Sequence, residues 1–177
     1  DNHSPELMAN FGRFQAGMTK VLMDYHHPAM EQEMIWDLRK AGGIRPHLSA
    51  IKDKERRTRI ENILNHFEAE VLPSLDKLRS GVMHNDANDY NVLVNKDEVT
   101  GIIDFGDVCA GDPATDLASA WGLFDAPELR DAVRSTAGTV DDAMWQRAEA
   151  WALHFGVVYL VHSADSPTMG AIGRRLL

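Results

Sequence analysis

Two short β-rich runs stand near the middle of a sequence that is otherwise patterned for helices. Residues 92–94 and 99–103 are rich in valine and isoleucine, and the polar stretch Asn95-Lys96-Asp97-Glu98 between them is typical of a hairpin turn. The sequence therefore predicts an α+β fold that is mostly α-helical, with one small β-hairpin at its centre.

Apolar residues recur at helical spacing on both sides of this hairpin. The longest apolar stretch, residues 151–161, has only eleven residues, whereas a membrane span needs about 20. We therefore expect a mostly buried helix there. The predicted helices cover residues 6–24, 29–39 (ended by Gly42-Gly43), 53–72, 113–121, 127–137 and 141–162, with a short last helix toward Leu177.

The charge balance argues against several classes of partner. The chain has 18 Lys and Arg against 27 Asp and Glu, a formal net charge of −9, whereas nucleic acids and anionic membranes attract basic surfaces. Cys109 is the only cysteine, so no intrachain disulfide can form and a cytoplasmic setting is expected. No signal peptide is visible and the first residue is not Met, so we expect a single domain over residues 1–177, trimmed or excised from a longer chain.

One polar segment carries two motifs with chemical meaning. His84, Asp86 and Asn91 fill the pattern H-x-D-x-x-x-x-N, and Asp104 opens an Asp-Phe-Gly sequence directly after the second β-rich run. Pairing of the hairpin would bring Asn91 and Asp104 together at its open end. Mg²⁺ prefers oxygen ligands and few protein contacts, so this pair is a candidate metal site.

Asp86 lies five residues before Asn91, on the loop that precedes the hairpin. A carboxylate in that place can accept the proton of a hydroxyl, or orient the hydroxyl for in-line attack on a phosphoryl group. We expect His84 to hold the loop through side-chain hydrogen bonds rather than to act as a ligand. Asp89 is expected to form a turn or cap a helix.

This segment resembles the catalytic and metal-binding loops of the protein kinase-like superfamily. The string His84-Asn-Asp86 with Asn91, followed by Ile103-Asp104-Phe-Gly-Asp107, is similar to the aminoglycoside phosphotransferase and choline kinase group. Protein kinases typically have an arginine where this chain has Asn85.

Different stretches resemble different branches of that group. Residues 67–73 and 84–94 look like the hydroxylysine kinase branch. Residues 111–118 and the tail from 151 to 177 look more like aminoglycoside and macrolide phosphotransferases. The acceptor substrate therefore stays open among these classes.

The resemblance implies a role for each matching residue. Asp86 would be the catalytic aspartate, and Asn91 and Asp104 would bind Mg²⁺, with ATP or GTP as the phosphoryl donor. The implied acceptor is a small molecule with hydroxyl and amine groups, and the acidic character of the chain suits a cationic acceptor. His84 and Asn88 would support the loop, and Asp107 is an additional acidic residue close enough to Asp104 to face the same site. Asp112 and Asp116 are expected to brace the loop or to cap the helix that follows.

The resemblance covers only the second, C-terminal lobe of the family fold. No G-x-G-x-x-G phosphate loop occurs before His84, so we expect the N-terminal nucleotide lobe to be absent. Two functions stay open, a phosphotransferase module and a catalytically inactive or recombined remnant that binds a partner. We expect the hairpin face to be apolar and to favour self-association.

Overall fold

The computed structural model describes residues 3–176 except 33, 35, 36, 51, 89, 125, 163 and 164, so the expectation for Asp89 lies outside the described residues. The chain divides into two compact units, one made of residues 1–32 and 80–177 and the other of residues 33–79. The organisation of the whole chain as a single domain stays a prediction.

The first unit contains six α-helices among its described residues. Helix α1 begins where Ser4 Oγ accepts a hydrogen bond from the backbone N–H of Leu7, and Pro5 occupies the first turn, where no N–H is needed. These helices occupy the predicted regions, except that two short helices replace the single one predicted over 113–121. They are α1 (Pro5–Leu22), α4 (Ala114–Leu117), α5 (Ser119–Leu123), α6 (Pro127–Thr136), α7 (Asp142–His162) and α8 (Pro167–Arg175).

The predicted hairpin is present. Strands β2 (Val92–Asn95) and β3 (Glu98–Ile102) pair antiparallel, with Val92 opposite Ile102. The sequence did not predict a second ladder, in which β1 (Gly81–Met83) pairs antiparallel with β4 (Cys109–Gly111). Strands of three residues are too short to show a period in the sequence. This ladder holds the residues just before His84 beside those just after Asp107.

The main core lies where α1 packs against α6 and the hairpin. Phe11 of α1 meets Phe124 edge to face, with ring centroids 5.8 Å apart, and both contact a cluster that includes Val99 and Val133. The helices approach closely because residue 12 is glycine. A Cβ there would lie 2.5 Å from the carbonyl oxygen of Val133, which no side chain tolerates.

The second unit contains α2 (Lys54–His66), a single π-helical turn (Phe67–Val71) and α3 (Leu72–Leu75), in place of the predicted helix over 53–72. Asp53 caps α2 by accepting from the N–H of Arg56. Arg45 forms a 2.6 Å ion pair with Glu68, and this hydrogen bond holds the pKa of Glu68 below its ordinary value.

The predicted helix over 29–39 is wrong. Two 3-10 helices, Pro28–Glu31 and Leu38–Ala50, replace it, and Gln32, Met34 and Asp37 between them are not helical. Gly42-Gly43 lies inside the second of these helices and does not end it. Three apolar residues at helical spacing are compatible with short i→i+3 turns as well as with an α-helix.

The expectation that α7 is mostly buried is also wrong for one face. Leu153, Val157 and Val161 are 52%, 49% and 64% exposed, although this helix packs against α4 and α8 on its other side. Apolar residues surround α7, so its sequence does not reveal which side is covered. Among the described residues, no helix has the length and apolar character needed to cross a bilayer.

Candidate active site

The loop that carries the predicted catalytic residues begins directly after β1, and hydrogen bonds to Asp116 hold it in place. The carboxylate of Asp116 accepts the backbone N–H of His84 at 3.2 Å and that of Asn85 at 2.7 Å. Asp116 is fully buried, and this burial raises the pKa of its carboxyl, while the two loop amides oppose the rise. Asp116, which lies in α4, thus fixes the position of the loop.

Asn85 is a residue of the site that sequence reasoning did not identify as functional. Its backbone has φ of 66°, in the left-handed region that asparagine tolerates better than most residues. Its side-chain amide donates to the carbonyl oxygens of Met83 and Asp107, at 3.2 and 3.0 Å, and to Cys109 Sγ at 3.2 Å. Asn85 therefore ties the loop to the segment that follows Asp104.

The carboxylate of Asp86 is held by two asparagine amides. Asn88 donates to Oδ1 at 2.6 Å, and Asn91 donates to Oδ2 at 2.7 Å and to the Asp86 carbonyl oxygen at 2.8 Å. Burial is the main cause of a raised pKa of Asp86, repulsion from Asp107 adds to it, and both asparagine bonds oppose it. A half-buried, oriented carboxylate with a raised pKa is a stronger proton acceptor than an ordinary aspartate.

His84 is fully buried beneath this loop. Its Nδ1 accepts the backbone N–H of Asp86 at 3.2 Å, and its Nε2 lies 3.1 Å from the carbonyl oxygen of Ile103. Its ring meets that of Phe105 edge to face at 4.7 Å. His84 therefore connects the loop to the Asp-Phe-Gly segment, and its supporting role in function stays a prediction.

The hairpin brings Asn91 and the Asp-Phe-Gly segment together. The backbone N–H of Ile103 donates to the carbonyl oxygen of Asn91 at 2.9 Å, so Asp104 follows directly after this pairing. Asp104 has φ of 63° and an exposed side chain, and its Oδ1 accepts the N–H of Gly106. A left-handed aspartate is strained, which is common at functional sites.

Asn91 and Asp104 offer oxygen atoms, the type of ligand that Mg²⁺ prefers. No group of three or more His, Cys, Asp or Glu side chains suited to a metal is found in the described part of the chain. The candidates are instead the oxygens of Asn91 and Asp104, and Mg²⁺ is commonly held by one or two carboxylates with water and phosphate oxygens completing the shell. Burial, and after it repulsion from Asp104, raises the pKa of Asp107, and a bound cation would relieve the repulsion.

Asp112 has different partners from the other acidic residues. Its carboxylate accepts from the N–H of Ala114 at the start of α4, and from Arg147 of α7 at 2.8 and 3.2 Å. Arg147 lies 35 residues away in the sequence, so no local pattern could have identified this pair.

A narrow pocket opens beside the catalytic loop. Asp86 and Asn88 form part of its lining, and residues of α4, α5, α7 and α8 form the rest. Its cavity volume is about 30 Å³. Ligand pockets commonly have volumes of roughly 300–1,000 Å³, so this pocket is far smaller than a ligand site of usual size.

The structure combines a helical lobe, a loop that carries Asp86 and Asn91, and an Asp-Phe-Gly segment just after β3. These features are typical of phosphotransferases with a kinase-like fold. The model of the phosphotransferase enzyme family (APH) matches residues 1–151. The chain belongs to that family, and the resemblance read from the sequence is confirmed.

Curated relatives include hydroxylysine kinases and an antibiotic phosphotransferase. The chain is 32% identical to hydroxylysine kinase of Xenopus laevis over 61% of this chain and 33% of that protein, and 31% identical to that of Bos taurus over 60% and 32%. It is 32% identical to viomycin phosphotransferase of Streptomyces vinaceus over 62% of this chain and 38% of that protein. The chain thus spans about a third of the length of these relatives.

Solved structures share the fold. The streptomycin–ATP–APH(2")-IIa ternary complex matches with a TM-score of 0.66 and 18% identity, over 96% of this chain and 61% of that one. ADP-bound aminoglycoside phosphotransferase APH(2'')-Ib matches with a TM-score of 0.63 and 17% identity, over 97% and 64%. The prediction of a mostly helical, kinase-like α+β fold is confirmed.

Asp107→Asn is expected to stabilise the fold at pH 7. The pKa of Asp107 is raised above the ordinary 3.8, first by burial and then by Asp104, so its ionised form costs stability. The gain in the variant should be present at pH 7 and should shrink as the pH falls through the raised pKa of Asp107 toward 3.8. Urea unfolding between pH 4 and 8, with a chelator present, measures it.

The matched control is Asp131→Asn, at an exposed position on α6. It should leave the free energy of unfolding unchanged across the same range. An Asp107→Asn variant that is no more stable than the original at pH 7 would contradict the conclusion that burial and repulsion from Asp104 make the ionised form of Asp107 unfavourable.

Proposed function

We propose that the chain is the C-terminal lobe of a small-molecule phosphotransferase, which moves the γ-phosphoryl group of ATP or GTP to a hydroxyl of a small amine-bearing acceptor. The observation that carries this proposal is the carboxylate of Asp86, half-buried and held by Asn88 and Asn91. Membership of the phosphotransferase family supports it, as does the shared fold with a phosphotransferase solved in complex with streptomycin and ATP. A cytoplasmic location is part of the proposal.

In this mechanism Asp86 binds the acceptor hydroxyl and orients its oxygen toward the γ-phosphorus. The new O–P bond forms as the bond from the γ-phosphorus to the leaving oxygen of the nucleoside diphosphate breaks, and the hydroxyl proton passes to Asp86. Asn91 and Asp104 would hold Mg²⁺, which neutralises charge on the phosphate oxygens when it is bound. Asn88 and Asn91 keep the Asp86 carboxylate in one orientation, and Asp116 keeps the loop in place.

An apolar face on the hairpin supports nucleotide binding. Leu93 and Ile103 are each 45% exposed. Leu93 pairs with Gly101, so β3 has no side chain at the position opposite Leu93. Leu93 and Ile103 adjoin Asn91 and Asp104 along the hairpin. A nucleotide whose phosphates lie at Asn91 and Asp104 places its base against this face. We propose that this face accommodates the base.

The same face favours the second candidate function. Exposed apolar residues near the hairpin also include Tyr90, Val94 and Phe105, and such a patch is typical of a surface that another molecule covers. A non-catalytic module that self-associates or binds a partner through this face is therefore the alternative.

The test is calorimetric titration of ATP into the purified chain, with Mg²⁺ and then with a chelator. We expect binding that requires Mg²⁺ and is weakened at least about tenfold by Asp104→Ala, since this substitution removes a charged residue that would hold the Mg²⁺ ion. Asp131→Ala, the exposed control, should bind as the original chain does. Transfer from ATP is then assayed on hydroxylysine, viomycin and streptomycin.

ATP affinity that is the same with the chelator and in Asp104→Ala, or no binding at all, would contradict the proposed function. A stable oligomer that forms through the hairpin face without nucleotide binding would favour the alternative.

A further inference from the structure

Gln15 occupies a position of α1 where the helical pattern calls for an apolar side chain. It follows Leu7 by eight residues and Phe11 by four, so all three lie on the buried face of the helix. The side chain of Gln15 is 1% exposed, and no donor in the described part of the chain lies within hydrogen-bonding distance of its Oε1. A methionine would fill the same space without burying an amide oxygen, so packing alone does not account for glutamine at this position.

The amide nitrogen of Gln15, in contrast, is fully used. Its Nε2 donates to the carbonyl oxygen of Asp116 and to Oγ of Ser119, both at 3.0 Å. The hydroxyl of Ser119 donates to the same carbonyl oxygen at 2.6 Å. A carbonyl oxygen can accept two donors, so the three groups form a closed set of hydrogen bonds that holds the backbone of Asp116 against α1.

The side chain of Asp116 passes this constraint on to the loop after β1. Its carboxylate accepts the backbone N–H groups of His84 and Asn85, and Asp86 is the next residue in the chain. The carboxylate can keep these two amides in place only as well as its own backbone is held. The backbone of Asp116 is the part of the residue that Gln15 contacts, from 101 residues away in the sequence.

We propose that Gln15 is a positioning residue of the active site, which fixes Asp116 and through it the loop that carries Asp86. The effect on the rate rests on the proposed function, because it takes Asp86 as the group that binds the reacting hydroxyl. The effect on the loop amides does not depend on any reaction, so the two can be measured separately.

The test variant is Gln15→Met, which keeps the length of the side chain and removes both hydrogen bonds of Nε2. With the purified chain we expect kcat to fall by about tenfold while KM for ATP stays unchanged, since a smaller shift of the loop is expected than when the Asp116 carboxylate itself is removed. In the absence of ligands, amide hydrogen exchange of His84 and Asn85, measured by NMR, should become at least about tenfold faster. The ladder of β2 and β3 should keep its protection.

Gln146→Met is the matched control, because Gln146 is an exposed glutamine of α7. It makes the same chemical change on a helix surface and should leave kcat and the exchange rates as they are in the original chain. Urea unfolding of both variants gives the fraction of folded protein to which kcat is referred.

A double variant tests whether Gln15 acts through Asp116. In the Asp116→Asn background, the loop is already poorly held, so Gln15→Met should lower kcat by less than about twofold further. Residues that act independently would instead give the full tenfold loss again.

Unchanged exchange of His84 and Asn85 in Gln15→Met overturns the inference. So does faster exchange with unchanged kcat in an active chain, a loss of kcat explained by the unfolded fraction, or a full tenfold loss in the Asp116→Asn background. If the original chain transfers no phosphoryl group to any acceptor, the proposed function falls, and the exchange of the two loop amides alone then decides whether Gln15 positions the loop.

Discussion

Asp86→Asn is expected to lower kcat for phosphoryl transfer by about 10²- to 10⁴-fold, the usual contribution of a positioned general base. Asparagine has nearly the same shape, but it cannot take the hydroxyl proton. It also replaces one acceptor oxygen by an amide, so one of the bonds from Asn88 and Asn91 is lost. Because Asp86 does not belong to the candidate metal pair, affinity for ATP with Mg²⁺ should change little.

Steady-state kinetics with the best acceptor measure this effect, and calorimetry measures nucleotide affinity on the same preparation. Asp131→Asn, which removes an exposed carboxylate from α6, serves as the control and should keep full activity. Unchanged kcat in Asp86→Asn would exclude Asp86 as the catalytic residue. A loss of kcat that is matched by loss of folded protein in urea would assign Asp86 a structural role only.

Asp116→Ala is expected to destabilise the fold by about 2–4 kcal/mol at pH 7 and to lower kcat by about 100-fold. The backbone N–H groups of His84 and Asn85 would lose their acceptor, and each buried unpaired donor costs about 1–3 kcal/mol. Removal of the buried charge offsets part of that cost. The loop would shift with Asp86 on it, and a displacement of about 1 Å can cost about 10²-fold in rate.

Asp116→Asn separates the two effects. Burial raises the pKa of Asp116, so its ionised form costs stability at pH 7, and this cost disappears as the pH falls through that pKa. Asparagine removes the charge but keeps one acceptor oxygen for two donors. It should therefore be more stable than the alanine variant while losing activity, and its stability relative to the original should decline toward low pH.

Urea unfolding from pH 4 to 8 and kinetics at pH 7 measure these changes, with Asp131→Ala as the exposed control. An Asp116→Ala variant as stable and as active as the original would show that the loop does not depend on this carboxylate.

Local sequence was sufficient for the hairpin and for the longer helices. The hairpin turn is defined by four consecutive polar residues between two β-rich runs, and the caps Ser4 and Asp53 lie at or within two residues of the predicted helix starts. Such elements form hydrogen bonds between residues that are near neighbours in the chain, so their pattern is visible without tertiary contacts. The family resemblance came from the same kind of local information, the spacing of Asp86, Asn91 and Asp104.

The hydrogen-bond partners that support the loop could not be predicted in this way. The sequence analysis predicted that Asp112 and Asp116 brace the loop or cap the next helix, but not that Asp116 accepts the N–H groups of His84 and Asn85, which lie more than 30 residues away. The ladder of β1 and β4 and the hydrogen bond from Asn85 to the Asp107 carbonyl oxygen are also contacts between segments that are distant in the sequence. Each depends on which distant segment folds alongside, and no local period reveals that.

The sequence alone indicates the phosphotransferase family, because the residue types and spacings of Asp86, Asn91 and Asp104 lie within a single loop and hairpin. The surroundings of each carboxylate, in contrast, depend on the tertiary structure. Asp112 pairs with Arg147, the buried carboxylate of Asp116 accepts two loop amides, and each oxygen of the half-buried Asp86 accepts one asparagine amide. In sequence these are all aspartates within about thirty residues, and burial and hydrogen-bond partners, which set their pKa values and orientation, arise only when distant helices pack around them.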